Sequence, residues 1–202
     1  MTIQISQDDL KKIGAGIRDK YIKVADNPEG LFKYPTGRTG IEAQKYDPKL
    51  VSALPEAVIS SYCGVGNPFS LGPINKGDIV LDIGCGAGVD TILAAMMTYP
   101  TGKAVGIDIV PEMVQRATSN FEMTDFKNIS FISTSGDVLP FEDSEFDVVI
   151  SNGVINLIPD KDTLLKEVLR VLKPGGRLMI ADQIAIGSIQ KDLKARLANW
   201  FQ

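Results

Sequence analysis

Val80-Leu81-Asp82-Ile83-Gly84-Cys85-Gly86-Ala87-Gly88-Val89-Asp90 decides the fold of this 202-residue chain. Val80, Leu81 and Ile83 have the apolar character of a central parallel strand, and three alternate glycines follow at once. Glycine lets the backbone turn sharply and come close to a ligand where any Cβ would collide. A helix expected from Val89 would aim unpaired N–H groups, and a partial positive charge, at a ligand's carboxylate. The competing reading is a tight strand-to-helix turn that holds nothing.

Outward from this turn the pattern alternates. Strands are expected over Ile79 to Ile83, Lys103 to Ile109, Ile129 to Ser133, Phe146 to Ser151 and Arg177 to Ala181. Helices are expected from near Val89, Pro111, Lys161 and Ile189, with Asp160 capping the third and Pro174-Gly175-Gly176 ending it. Right-handed crossovers then give an α/β fold with a doubly wound, mostly parallel sheet. Residues 76–202 form the expected core. Residues 1–75 read as an extension lying over the site. Within it, a helix over Ser6 to Val24 is weakened by Gly14 and Gly16, Asn27 to Asp47 has loop chemistry, and a short helix is expected near Pro48 to Ser60. The last segment, Ser188 to Gln202, has one apolar helical face and stops without a cap, so strands that would complete the sheet are expected to be missing, or supplied by a second copy in a homodimer.

Composition narrows the chemistry. A content of 44% hydrophobic and 23% charged residues suits one packed domain, and a net charge of −4 with no basic stripe argues against a nucleic-acid partner. No leader or membrane-spanning stretch is seen, so a cytoplasmic protein without membrane partners is expected. Two cysteines and no histidine exclude a disulfide framework, a zinc site and a Ser-His-Asp triad.

The glycine spacing separates cofactors. A dinucleotide loop needs G-x-G-x-x-G, but the third position holds Val89 and the glycine falls at 88. The G-x-G-x-G form with Asp82 before it resembles the first motif of class I S-adenosylmethionine (SAM) methyltransferases. That resemblance implies a Rossmann-like fold, SAM as cofactor, S-adenosylhomocysteine as product and methyl transfer to a small molecule. Asp108 ends the second strand 20 residues beyond Gly88, where a carboxylate can accept hydrogen bonds from a ribose diol, or else cap the helix at Pro111. Asp137 is placed to meet an adenine amino group or to close an Asx turn. Asn152 offers an uncharged donor and acceptor beside a sulfonium, or a turn residue. The cofactor-binding set is therefore Asp82, Gly84, Cys85, Gly86, Gly88, Asp108, Ile109, Met113, Asp137, Val138, Ser151 and Asn152. Tyr34, Tyr62, Cys63 and Asn67 are the substrate-side candidates. No catalytic residue is assigned, a base being optional in methyl transfer. Tyr34, Tyr46 and Tyr62 are base candidates that also read as lid residues.

Tyr62 to Pro68, Val80 to Asp90, Val149 to Lys161 and Arg170 to Arg177 together resemble the arsenite methyltransferase branch. In that branch thiolates hold As(III), and two of them fall at positions matching Val65 and Gly153, which offer none. A methyl acceptor other than arsenite is therefore expected, with arsenite methylation and a non-catalytic SAM-binding module as alternatives.

Overall fold

The computed structural model describes residues 6–134 and 138–184. Helix α1 (Gln7–Asp26) opens the chain, and its first turn is closed by Ser6, whose Oγ accepts from the Asp9 amide at 3.2 Å. Three short helices follow: α2 (Gly37–Ala43), α3 (Pro48–Val51) and α4 (Glu56–Ile59). The α/β unit then runs β1 (Ile79–Ile83), α5 (Val89–Thr98), β2 (Lys103–Asp108), α6 (Pro111–Glu122), β3 (Ile129–Ser133), β4 (Phe146–Asn152), α7 (Lys161–Val171) and β5 (Leu172–Ala181).

The five strands are all parallel, in the order β3-β2-β1-β4-β5. Strand order reverses beside β1, and the carboxyl ends of β1, β2 and β4 open the crevice that such a reversal creates. Alternation along β1 builds both layers. Leu81 and Ile83 join Val105, Ile107 and Val149 against Leu164, Val168 and Val171 of α7. Val80 packs on the other face with Ala94 and Ala95 of α5, and with Ala104, Val148 and Ile150. Helix α5 is apolar around nearly its whole circumference because it is covered twice. The sheet takes one side, and Ile41, Tyr46, Val51, Leu54, Val58, Ile59 and Tyr62 pack against Val89, Ile92 and Leu93 on another. Among the described residues no helix is long and apolar enough to cross a membrane.

Three local expectations are corrected. The Asn27 to Asp47 stretch is not wholly loop. Helix α2 forms inside it because the Gly37 amide donates to the Tyr62 carbonyl at 2.7 Å, and because Gly40, lacking a Cβ, presses against Pro35 and Tyr62. The single helix near Pro48 to Ser60 is two short ones, parted at Ser52 to Pro55, where proline removes a donor and its ring opposes continuation. Finally, Pro174-Gly175-Gly176 does not end α7. That helix stops at Val171, Leu172 pairs with Phe146, and the proline and glycines form an irregularity before Arg177 resumes pairing at Val148. The helix expected from Ile189, with the segment Ser188 to Gln202, lies outside the described residues.

Candidate functional site

The glycine turn folds back on β2. The amides of Gly84 and Cys85 both donate to the Ile107 carbonyl, at 2.8 and 2.9 Å. Gly84, Gly86 and Gly88 all take positive φ, at 70°, 53° and 81°, a region where an L side chain is strained. A Cβ at Gly84 would collide with Val154, and one at Gly88 would run into Phe131 and Ala117. Gly88 is thus demanded by helix and strand packing behind the turn rather than by space in front of it.

Asp108 ties the turn to the next helix. Its Oδ2 accepts from the Gly86 amide at 3.0 Å, and its Oδ1 from the Val110 amide at 2.9 Å. Burial pushes its carboxyl upward, and the backbone donors pull against that rise. Cap-like bonding and ligand bonding do not compete here. Two amides occupy two acceptor positions of a carboxylate that has about four, and the group faces the crevice.

The crevice is a cavity of about 550 Å³, within the size range of small-molecule sites. Gly84 to Ala87, Asp108, Ile109 and Val110 form its floor and one side. Gly153, Val154, Leu157, Ile158 and Leu164 form the opposite side, and Leu10, Ile13, Ile17 and Tyr21 of α1 close it from above. Its charged lining residues are Asp82, Asp90, Asp108 and Asp160, all acidic. Such a lining suits a bound group that carries positive charge on an otherwise apolar body.

Of the expected cofactor set, Asp82, Gly84, Cys85, Gly86, Asp108, Ile109 and Asn152 line this cavity. Asp82 is buried and accepts from the Thr91 hydroxyl at 2.7 Å, with burial first and the Asp90 charge second raising its carboxyl well above the ordinary range. Gly88, Met113, Val138 and Ser151 stand elsewhere. Met113 is buried beneath Gly86 because α6 packs against the sheet, and the Ser151 hydroxyl points into the sheet to donate to the Ile83 carbonyl at 3.2 Å. Val138 is 69% exposed, and Asp137 lies outside the described residues.

The substrate-side candidates divide as well. Tyr62 and Cys63 line the cavity, and burial pushes the Cys63 thiol up to about 12. Tyr34 does not reach it, because its hydroxyl donates to the Cys63 carbonyl at 3.1 Å and its ring lines a separate hollow on the far side of α1. Asn67 is held by the local chain, accepting from the Phe69 amide and donating to the Lys45 carbonyl.

Asn152 is engaged on every side. Its Oδ1 accepts from the amides of Val65 and Gly66 at 2.9 and 3.1 Å, while its Nδ2 lies 2.8 Å from the Gly66 carbonyl and 2.9 Å from Asp90 Oδ2. It clamps the 64–67 loop to the tip of β4 while standing on the cavity wall. The Tyr46 hydroxyl donates to Asp90 Oδ1 at 2.7 Å and lies 3.3 Å from the Tyr62 hydroxyl.

Sequence reasoning missed Asp90 as a site residue, although it ended the decisive stretch. It also read Gly14 only as a weakness in α1. Gly14 lies on the same face as Leu10, Ile13, Ile17 and Tyr21, and a Cβ there would meet nothing within 4 Å. The four-residue step from Leu10 to Gly14 was the available signal.

Comparison with known proteins adds four findings. A family model described as a methyltransferase domain matches residues 74–202. An arsenite methyltransferase of Halobacterium salinarum is 36% identical over 165 residues, which is 82% of this chain and 42% of that protein. A demethylmenaquinone methyltransferase of Lactococcus lactis is 39% identical over 100 residues, 50% of this chain and 40% of that one. The crystal structure of an arsenic(III) S-adenosylmethionine methyltransferase from Chlamydomonas reinhardtii superposes with a TM-score of 0.56 at 32% identity, covering 74% of this chain and 50% of that one. The chain spans less than half the length of these curated relatives.

Proposed function

Since the chain belongs to the class I SAM-dependent methyltransferases, we propose that it moves the methyl group of SAM to a small-molecule acceptor inside the cavity beneath α1. The Asp108 carboxylate carries this reading. Held by the Gly86 and Val110 amides and turned to the crevice, it keeps acceptor capacity for a ribose diol at the place where β2 ends. When bound, SAM supplies a methyl group on a sulfonium that a nucleophile displaces in line. The chain's part is to bind, align and keep water out. Gly84 to Ala87 would hold the amino-acid end of the cofactor, Asp108 and Ile109 the nucleoside, and the acidic lining favours a cation over an anion. Leu10, Ile13 and Ile17 cover the top of the cavity.

Arsenite fits this site poorly. The two positions that match thiolate ligands in the arsenite branch are side by side, with a Cβ on Gly153 only 3.1 Å from Val65, yet they present a methyl group and a hydrogen. Cys63 lines the cavity as a neutral thiol, and one neutral thiol is a weak ligand for a soft ion. An acceptor other than arsenite follows. Two free thiols suit a reducing, cytoplasmic setting. A homodimer joined through the sheet edge belongs to the same reading, since β5 is a ten-residue edge strand among the described residues. Light scattering would show the doubled mass, and a monodisperse monomer would overturn it.

Calorimetric titration with SAM and S-adenosylhomocysteine is the direct test. Saturable heat and thermal stabilisation are expected, and neither at millimolar nucleoside would end the assignment. Binding without release of labelled methyl product to any acceptor would favour the non-catalytic module.

A further inference from the structure

We propose that Asp90 is the proton acceptor of the transfer step, reached from the cavity through the hydroxyls of Tyr62 and Tyr46, and that the methyl acceptor is therefore a protic nucleophile bearing a hydroxyl. This inference rests on the methyltransferase reading above. Its ground is a chain of three groups from widely separated parts of the sequence. Tyr62 lines the cavity, its hydroxyl donates to the Gly66 carbonyl at 2.9 Å and lies 3.3 Å from that of Tyr46, and Tyr46 donates to Asp90 Oδ1 at 2.7 Å with the same carbonyl 3.0 Å away. Among the described residues, the other carboxylates on the cavity wall join no such chain of tyrosine hydroxyls. Asp82 accepts from Thr91, Asp108 carries two backbone amides, and Asp160 caps α7 through Thr163.

Among the described residues no cation neutralises Asp90. The titratable groups set against it are Tyr46, Tyr62 and Cys63 from the segment before β1 and Asp82 from β1, while β4 contributes the uncharged amide of Asn152. Burial lifts the Asp90 carboxyl to about 6, against the pull of its bonds from Asn152 and Tyr46, which suits it to taking up a proton. Burial also raises both tyrosines, which keeps them neutral and suits them to passing protons rather than holding negative charge.

The step balances. An acceptor oxygen lone pair forms the new bond to the methyl carbon, and the electron pair of the broken carbon–sulfur bond returns to sulfur. The acceptor's proton passes to Tyr62 as Tyr62 gives its own to Tyr46 and Tyr46 gives its own to Asp90. A positive sulfonium and a negative carboxylate both end neutral. A thiolate acceptor, already ionised, would leave this chain of groups idle.

The test uses the full chain. SAM titration of wild type, Asp90→Asn and Tyr62→Phe comes first, and failure of wild type to bind strikes the methyltransferase reading itself. Infrared difference spectra against pH, with labelled tyrosine, give a readout independent of turnover. A carboxylic acid band is expected to grow as pH falls through about 6, to vanish in Asp90→Asn, and to carry with it a shift of the tyrosine C–O band that shrinks in Tyr62→Phe. Labelled methyl transfer to 4-methylphenol, catechol and benzyl alcohol supplies the second readout. With at least one of them, kcat is expected to rise with pH through about 6 and to fall about a hundredfold or more in both variants, with KM little changed. A merely structural Asp90 would alter KM and Tm and leave the pH limb in place. Tyrosine bands silent to the carboxyl, an unmoved pH limb, or no transfer to any of the three probes by a chain that binds SAM would each overturn the proposal.

Discussion

Asp108 joins two jobs that depend on one side chain. Its oxygens fix the glycine turn through Gly86 and start α6 through Val110, and the same group faces the ligand. Asp108→Ala should weaken S-adenosylhomocysteine binding at least about tenfold, because charge-assisted bonds contribute roughly 1.5 to 3 kcal/mol each. Calorimetry measures this, and an unchanged Kd would show that the carboxylate serves the turn alone. Gly84 makes a different demand. Its φ of 70° and the Val154 side chain pressed against it leave no room for a methyl group. Gly84→Ala is expected to lower stability by about 1 to 3 kcal/mol, from strain together with overpacking. Urea denaturation checks the midpoint, and no loss would mean that Val154 moves aside freely.

At the level of elements, Gly14 gives a test of opposite sign. A glycine inside a helix costs about 0.5 to 1 kcal/mol relative to alanine, and here an added Cβ meets open cavity. Gly14→Ala should therefore raise Tm by a few degrees, and a lower Tm would show that the backbone itself needs glycine at that point. What was legible in the sequence follows from the range of the interactions that make each element. Strands β1 to β4 and the starts of α5, α6 and α7 were readable because periodicity and caps such as Asp160 act within a few residues. Helix α2 was not readable, since its first amide is satisfied by Tyr62, 25 residues further on in the chain. Nor was the start of β5, where the sheet takes in a turn-like Pro-Gly-Gly by a shift of register. The site divides in the same way. The glycine turn and Asp108 announce themselves locally, whereas the clamp of Asn152 and the reach of Tyr46 to Asp90 span 86 and 44 residues and exist only once the chain has folded.

Across the whole molecule the absence of histidine makes pH a clean probe. Side chains with ordinary pKa values leave the range between about pH 5 and 8 nearly empty. Burial raises three carboxyls of the cavity wall, Asp90 from 3.8 to about 6 and Asp82 and Asp108 in the same direction. A carboxyl whose pKa rises on folding binds its proton more tightly in the folded chain than in the unfolded one. Stability therefore grows as pH falls through about 6 and levels off below the ordinary value near 3.8. Glu167 works the other way, since its bond from Arg170 lowers its carboxyl to about 2 from an ordinary 4.5, and its contribution is lost only as pH falls from 4.5 toward 2. Between pH 7.5 and 5 the first effect stands largely alone. It amounts to about 1 to 2 kcal/mol, or roughly 3 to 6 °C for a chain of this size. Thermal melts of the ligand-free protein should show Tm rising on acidification across that window, and a flatter rise in Asp90→Asn. General relief of the −4 net charge would raise Tm in both proteins alike, so the difference between the two slopes isolates the buried carboxyl. A wild-type Tm that falls toward pH 5, or slopes that coincide, would mean that Asp90 titrates like an exposed acid and that the folded chain does not hold it desolvated at the cavity wall.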